Sequence, residues 1–170
     1  GRMELPDYPE DCVLEGLVNG LIHRSYLELG GEVHVDMFDN RIEISSPGGM
    51  VDGCPIQERD IMHITSRRRN PILADIFSRL RYMERRGSGF KKICFDYSNH
   101  PNYKENLHPK FYSDQLDFIL TLYNLNYMGK QDEETFVPQS SPKFPKVPQS
   151  SSKPLSDLFR LIKEQPEATI

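Results

Sequence analysis

Apolar residues recur at helical spacing near the start of the chain. From Glu10 to Tyr26 they lie three and four positions apart, which predicts an amphipathic helix. The acidic residues Glu10 and Asp11 suit the first turn, because the N-terminus of a helix is positively polarised. The predicted apolar face consists of Val13, Leu14, Leu17, Val18, Leu21 and Ile22.

Alternating apolar and polar positions follow, and they predict β-strands. The segment Glu32 to Phe38 alternates, the pair Asp39-Asn40 can form a turn, and Arg41 to Ser45 returns as the second strand of a hairpin. A later alternation predicts a strand that closes the sheet. The side chains expected to face one side are Val33, Val35 and Met37 in the first strand, Ile42 and Ile44 (inward) in the second, and Leu116, Phe118, Leu120 and Leu122 in the last.

Two further helices are predicted between these strands. Asn70-Pro71 is typical of an N-cap followed by a first-turn proline, and the helix that it opens extends to about Tyr82. Another helix follows Gly87-Ser88-Gly89. After this helix, a loop rich in Asn, Pro and Tyr extends to about Asp114. The apolar positions of the two helices are Ile72, Leu73, Ile76, Phe77 and Leu80 (expected to be buried), and Phe90, Ile93 and Cys94.

The composition changes after Tyr127, so three regions are expected. Residues 5–127 form one domain, and residues 128–154 form a Pro/Ser-rich linker that contains the repeated sequence Val-Pro-Gln-Ser-Ser. Residues 155–170 have the pattern of an amphipathic helix that begins another domain. The apolar positions of that helix are Leu155, Leu158, Phe159, Leu161 and Ile162.

Bulk properties narrow the classes of protein. The net charge of -4 argues against a uniformly basic surface for nucleic acid. No apolar run approaches the roughly 20 residues of a membrane span, and the acidic start does not resemble a signal peptide, so no membrane partner is expected. The three cysteines form no CxxC pair, which favours reduced thiols and a cytoplasmic location.

Three short motifs carry candidate chemistry. Glu15 and Asn19 are four residues apart and therefore neighbours on one helix face, with His23 one turn further. The segment 46–49, Ser-Pro-Gly-Gly, follows a strand, and Gly87-Ser88-Gly89 opens a helix. Glycines allow backbone N–H groups to approach a phosphate, and a helix N-terminus favours anions. An amide oxygen such as that of Asn19 is a suitable ligand for Mg²⁺.

Taken in order, these motifs resemble those of RecG-like C-terminal domains, a branch of the histidine-kinase-like ATPase fold. The resemblance covers about residues 5–125. It rests on Tyr8-Pro9-Glu10, on Glu15 to Arg24, on Arg41 to Gly49 (Arg-Ile-Glu-Ile-Ser-Ser-Pro-Gly-Gly), on Arg69 to Ala74 (Arg-Asn-Pro-Ile-Leu-Ala), and on Glu84 to Gly89 (Glu-Arg-Arg-Gly-Ser-Gly).

The resemblance implies an α+β two-layer sandwich whose mixed sheet is covered on one face by helices. It also implies that ATP and Mg²⁺ are the cofactors. Glu15 would orient the attacking water and Asn19 would hold Mg²⁺. Gly48 and Gly49 would lie under the adenine, and Gly87, Ser88 and Gly89 would cradle phosphate.

The chain departs from the wider fold in two places. Ser46 stands where the fold has an Asp that receives the adenine amino group, and a hydroxyl accepts without charge assistance. The segment from Asp52 to Arg69, where the fold has its ATP lid, is short and lacks a glycine-rich run. The chain also contains no GxxxxGK[ST] motif, so these residues encode no Walker-type motor.

Basic residues permit more than one interpretation. Arg85 and Arg86 directly precede Gly87 and favour an anion site that includes Arg86. The run 67–69 is first interpreted as part of a solvated helix face, and second as a phosphate or nucleic-acid surface. His23 and Arg24 either cap the first helix by charge or reach phosphate.

Three functions remain open from the sequence. The leading hypothesis is a nucleotide-binding regulatory domain of a transcriptional regulator that contacts DNA through flanking domains and can form a homo-oligomer. Residues 155–170 resemble the opening helix of the winged-helix domain that often follows in such proteins. The alternatives are an active Mg²⁺-dependent ATPase and a degenerate scaffold that binds protein partners without nucleotide.

Overall fold

The computed structural model describes residues 5–65, 67–83 and 88–129. Most of the predicted linker 128–154, the whole of segment 155–170, and the predicted site residues Arg86 and Gly87 lie outside these residues. Within them the order of the elements is α1 (Glu10–His23), β1 (His34–Met37), β2 (Arg41–Pro47), α2 (Pro71–Arg79), α3 (Gly89–Ser98), β3 (Lys110–Ser113) and β4 (Asp117–Tyr123). Single-turn 3₁₀ helices lie at Ile56–Glu58, Ile61–His63 and Glu105–Leu107.

The four described strands form an antiparallel sheet in the order β1-β2-β4-β3. The α+β class is therefore confirmed, but the expectation of a mixed sheet is wrong for these strands. Two tight hairpins, β1-β2 and β3-β4, supply the strands, and a short turn can connect only antiparallel neighbours. β3 lies in the stretch predicted as a loop; it is four residues long and only Phe111 and Ser113 of it are buried.

Helix α1 lies against one face of the sheet, through its glycines. A Cβ on Gly16 would lie 2.7 Å from Leu120 Cδ2 and 2.9 Å from Ile44 Cδ1, so the helix backbone itself contacts the sheet. Ile42 and Ile44 are buried as predicted. Because Gly16 rather than a leucine faces the sheet, Leu14 and Leu21 of the predicted apolar face are exposed.

The edge strand β1 is exposed along its whole length. Val35 and Met37 are paired with Ile44 and Ile42 and so lie on the helix-covered face, as expected. The helices nevertheless leave them uncovered, and Met37 is 75% exposed. The predicted face of β1 is therefore confirmed, and this edge strand is exposed on it.

Helix α2 packs on α1 through Ala74 and through only part of the predicted face. Ala74 is fully buried against Val18 and Ile22 of α1. Ile72, Ile76 and Leu80, which were expected to be buried, are exposed, Ile72 to 77%. Phe77 of the predicted face is partly buried against the same cluster, so the small side chain of Ala74 makes the closest approach while only part of the apolar face is covered.

Asn70 connects the two helices. Its side chain does not cap α2; its Nδ2 instead donates to Ile22 O at 2.7 Å and to Arg24 O at 2.8 Å. These carbonyls lie at the C-terminal end of α1, where a helix has no partners of its own for them. Asn70 therefore fixes the end of the helix that carries Glu15, Asn19 and His23.

Two remaining expectations bear on the compartment. None of the helices in the part of the chain that the structure describes has the length and apolarity needed to cross a membrane. Cys12, Cys54 and Cys94 are all unpaired thiols.

Candidate functional site

A cleft of about 1080 Å³, including the solvent at its mouth, lies between α1, the loop after β2 and the first turn of α3. Eight of the ten predicted site residues line it, and the other two lie outside the described residues. The eight are Glu15, Asn19, His23, Ser46, Gly48, Gly49, Ser88 and Gly89.

Glu15, Asn19 and Gly89 meet at one wall of the cleft. Asn19 Nδ2 donates to Glu15 Oε1 at 3.1 Å, as their spacing on one helix face predicts. A Cβ on Gly89 would overlap the Glu15 carboxylate and lie 2.7 Å from Asn19 Nδ2. The glycine therefore permits the N-terminal turn of α3 to approach the two polar side chains of α1 directly.

The orientation of Asn19 suits a hard cation. Because its Nδ2 points at Glu15, its Oδ1 is directed elsewhere and is available as an oxygen ligand. The residues that the structure describes contain no cluster of three or more His, Cys, Asp or Glu side chains suited to a metal ion. Mg²⁺ is commonly held by one or two protein oxygens together with substrate phosphates, so the donor set fits Mg²⁺ brought by a nucleotide and not a dedicated metal cage.

Ser46 is a structural contact as well as a lining residue. The side chain is buried, and its Oγ donates to Gly20 O at 2.7 Å, which ties β2 to α1. The hydroxyl proton is thereby used, while the lone pairs of Oγ can still accept one hydrogen bond. Ser46 could accept from an adenine amino group, although without the charge of the Asp found in the wider fold.

The loop after β2 is held from two sides. Gly48 has a φ of 96°, and its N–H donates to Leu116 O. Arg69 Nη2 donates to Gly49 O at 2.6 Å, and a Cβ on Gly48 would overlap the Arg69 guanidinium. The sequence did not assign this role to Arg69, which had been included in the basic run 67–69 and in the segment Arg69 to Ala74 of the family resemblance.

The run 67–69 lies in a loop, so its interpretation as a helix face is wrong. Arg67 and Arg68, for which a phosphate surface was the second interpretation, line the cleft. Arg59, Lys92 and Asp52 also line it, and sequence reasoning missed these three. Arg59 Nη2 lies 2.5 Å from Asp52 Oδ1, and Arg67 lies 3.5 Å from Asp52 Oδ2. The hydrogen bond from Arg59 holds the pKa of Asp52 below its usual value.

These side chains make the cleft electropositive. Its described lining contains four cationic side chains and two carboxylates, an excess of two positive charges in a chain whose net charge is -4. Focused positive charge of this kind attracts anionic ligands. The run of arginines at positions 67–69 was the signal available in the sequence.

His23 does not add to that charge at neutral pH. Burial, and then the positive charges of Arg69 and Arg68, lower its pKa from the usual 6.5. A neutral imidazole can donate or accept a hydrogen bond in the cleft, but it cannot cap α1 by charge. Arg24 faces elsewhere: it donates to Gly31 O and lies over the Tyr26 ring at 4.6 Å.

Apolar side chains cover another part of the cleft. Phe90 and Phe118 stack with ring centroids 5.7 Å apart and planes inclined by 16°. The other apolar lining residues are Met50, Val51, Ile64 and Met83. A cleft lined by both apolar and cationic side chains suits a ligand that has a flat apolar part and an anionic part.

A comparison with protein-family models finds a match to this chain. The model described as "Putative ATP-dependent DNA helicase recG C-terminal" matches residues 30–122, which is more than half of the chain. No match to a curated protein or to a solved structure accompanies it. The matched range includes the glycine loop and α3 but begins after α1. The fold places Glu15 and Asn19 of α1 beside Gly89, which lies within the matched range. The chain therefore belongs to the family of RecG C-terminal domains, which have the histidine-kinase-like ATPase type of domain.

Proposed function

We propose that the cleft binds ATP together with Mg²⁺. The observation that carries this proposal is the meeting of Glu15, Asn19 and Gly89 in an electropositive cleft. A helix N-terminus, the Asn19 amide oxygen and apolar lining residues together suit a nucleotide.

Each part of the nucleotide has a matching part of the cleft. The base would lie on the apolar side, near Met50 and Phe118, within reach of the acceptor lone pairs of Ser46. The phosphates would lie at Ser88 and Gly89, where the dipole of α3 and its N–H groups favour anions. Mg²⁺, when bound, neutralises phosphate charge, and Asn19 Oδ1 would supply its protein ligand.

We further propose that the domain is regulatory. In this proposal nucleotide binding biases flanking domains of a cytoplasmic transcriptional regulator, and DNA is contacted by those domains. A winged-helix domain that begins at residues 155–170 and a homo-oligomer belong to the same proposal. Support comes from the family match, from the amphipathic pattern of residues 155–170 and, for the compartment, from the three unpaired cysteines.

Hydrolysis is the second candidate function, and the position of Glu15 favours it. Its carboxylate lies beside Asn19 and the first turn of α3, and therefore next to the proposed phosphate position. A carboxylate there can position a water for attack on the terminal phosphate. A scaffold that has lost its site is less well supported, because the side chains of residues 5–65, 67–83 and 88–129 leave the cleft open.

Calorimetric titration of the chain with ATP and Mg²⁺ tests the proposal. We expect saturable heat for the wild type, an at least roughly tenfold weaker affinity for Asn19→Ala, and wild-type affinity for Glu10→Gln, an exposed control on the same helix. An absence of heat and of a thermal shift at millimolar nucleotide would refute it. For hydrolysis, Glu15→Gln should abolish phosphate release while it spares binding.

A further inference from the structure

We propose that Lys92 contacts the terminal phosphate and makes the cleft prefer a nucleoside triphosphate to a diphosphate. The inference rests on the proposed function, because it assigns specificity within the same cleft. Nothing in the sequence motifs selects this residue; its position on α3 does.

Lys92 and Gly89 lie three positions apart and therefore on one face of α3. Gly89 faces Glu15 and Asn19, so this face of α3 is turned toward α1. Lys92 Nζ lies 3.3 Å from Asp11 Oδ2, one turn of α1 before Glu15. Lys92 also lines the cleft, whereas its neighbour Lys91 does not.

The ammonium of Lys92 is charged and can move. Burial by itself lowers the pKa of Lys92, but the hydrogen bond to Asp11 and the charges of Asp11, Asp96 and Glu15 together more than offset it, so the pKa lies above its usual value. The Lys92 and Asp11 side chains are 36% and 68% exposed, and an ion pair so exposed contributes little stability. The flexible four-carbon stem of lysine allows the ammonium to leave Asp11 for a phosphate.

A phosphate chain that begins at the N-terminus of α3 extends along this face. The first phosphates would be bound by the backbone at Ser88 and Gly89, and the last would lie closest to Glu15 and Lys92. A lysine in that position pairs with the charge that a triphosphate has and a diphosphate lacks. Lys92 would thus contact the same terminal phosphate that a water positioned by Glu15 would attack.

The test compares the dissociation constants of ATP and ADP, each with Mg²⁺, for the wild type, Lys92→Gln, Lys92→Arg and Lys91→Gln. We expect Lys92→Gln to weaken ATP by about tenfold or more and ADP by less than about threefold, as the loss of one charge-assisted contact predicts. Lys92→Arg should retain most of the preference for ATP, and Lys91→Gln should change neither constant. Thermal unfolding of each variant verifies that the fold is intact, which we expect for an exposed pair.

Two results would overturn the inference, and they differ in what else they affect. If the wild type binds ATP but Lys92→Gln weakens ATP and ADP equally, or neither, the assignment of Lys92 is wrong and the proposed function stands. If the wild type binds neither nucleotide, the proposed function fails and the inference fails with it.

Discussion

Arg69 packs so closely against Gly48 that position 48 has room only for the hydrogen atom of glycine. The positive φ of Gly48 turns the chain under the cleft, and the guanidinium of Arg69 occupies the position that a side chain would take. The same guanidinium donates to Gly49 O at 2.6 Å. The shape of the loop therefore depends on a side chain that is twenty residues away in sequence.

We predict that Gly48→Ala destabilises the protein more than Gly30→Ala does. Gly30 has a φ of 78° with nothing within 4 Å of its Cβ position, so alanine there pays only the backbone penalty of about 1–2 kcal/mol. At Gly48 the overlap with Arg69 adds to that penalty. Chemical denaturation measures both free energies of unfolding, and the excess at Gly48 should shrink in an Arg69→Ala background. Equal losses at the two glycines would contradict the account.

At the scale of elements, α1 is positioned by a close contact at a glycine, which has no side chain, and by hydrogen bonds to its backbone. Its contact with the sheet is made at Gly16, while Ser46 and Asn70 bind its backbone carbonyls from β2 and from the start of α2. These contacts set the height and the end of the helix that carries Glu15 and Asn19. The geometry of the cleft thus follows from helix packing before any ligand is present.

We predict opposite effects of alanine at the two glycines of α1. Alanine in a helix interior is ordinarily favoured over glycine by about 1 kcal/mol. At Gly16 the methyl group would press on Leu120 at 2.7 Å and on Ile44 at 2.9 Å, and overpacking of this kind costs about 1–3 kcal/mol. At Gly20 the nearest atom is 3.4 Å away, so Gly20→Ala should be neutral or stabilising. A stabilised Gly16→Ala variant in thermal or urea unfolding would contradict this packing.

The elements show what local pattern predicts and where it fails. The helix at Glu10, the hairpin around Asp39-Asn40 and the strand at Phe118 follow from periodicity, which depends on nearby residues. The buried face of α2 and the short strand β3 do not, because the burial of Ile72 or Phe111 depends on which distant element covers it. Apolar residues such as Ile76 match a helical stripe whether or not a partner is present.

The residues of the candidate site also divide into those that local motifs predict and those that only the fold brings together. Short-range motifs of Gly, Asn and Glu at fixed spacing predicted eight residues that line the cleft. Asp52, Arg59 and Lys92 belong to no motif, and only the tertiary fold brings them to the cleft. Ser46 could be recognised as a departure from the family pattern, but its bond to Gly20 O could not.

At the scale of the whole molecule, the protonation of His23, which lines the cleft, makes the free energy of unfolding depend on pH. Its pKa is lowered in the folded protein, so the unfolded chain binds the proton more readily. Stability should therefore decrease as the pH falls below the usual value of 6.5, by at most about 1.4 kcal/mol per pH unit for one group.

Replacement of His23 tests this pH dependence. Urea unfolding between pH 7.5 and 5 should give a shallower decline for His23→Asn than for the wild type. Parallel profiles would show that His23 does not contribute. Bound phosphate should raise the pKa of His23 and so reduce the decline in the wild type.

The central claim is that a nucleotide binds in the cleft formed by α1, the loop after β2 and the first turn of α3. Backbone amide chemical shifts of the isotopically labelled chain, recorded during titration with ATP and Mg²⁺, test it most directly. The account predicts that the largest changes occur at Asn19, Gly48, Gly49, Ser88 and Gly89, with Val35 on the edge strand unaffected. Unchanged shifts at saturating nucleotide, or changes confined to residues outside the cleft such as Ile72, would contradict it.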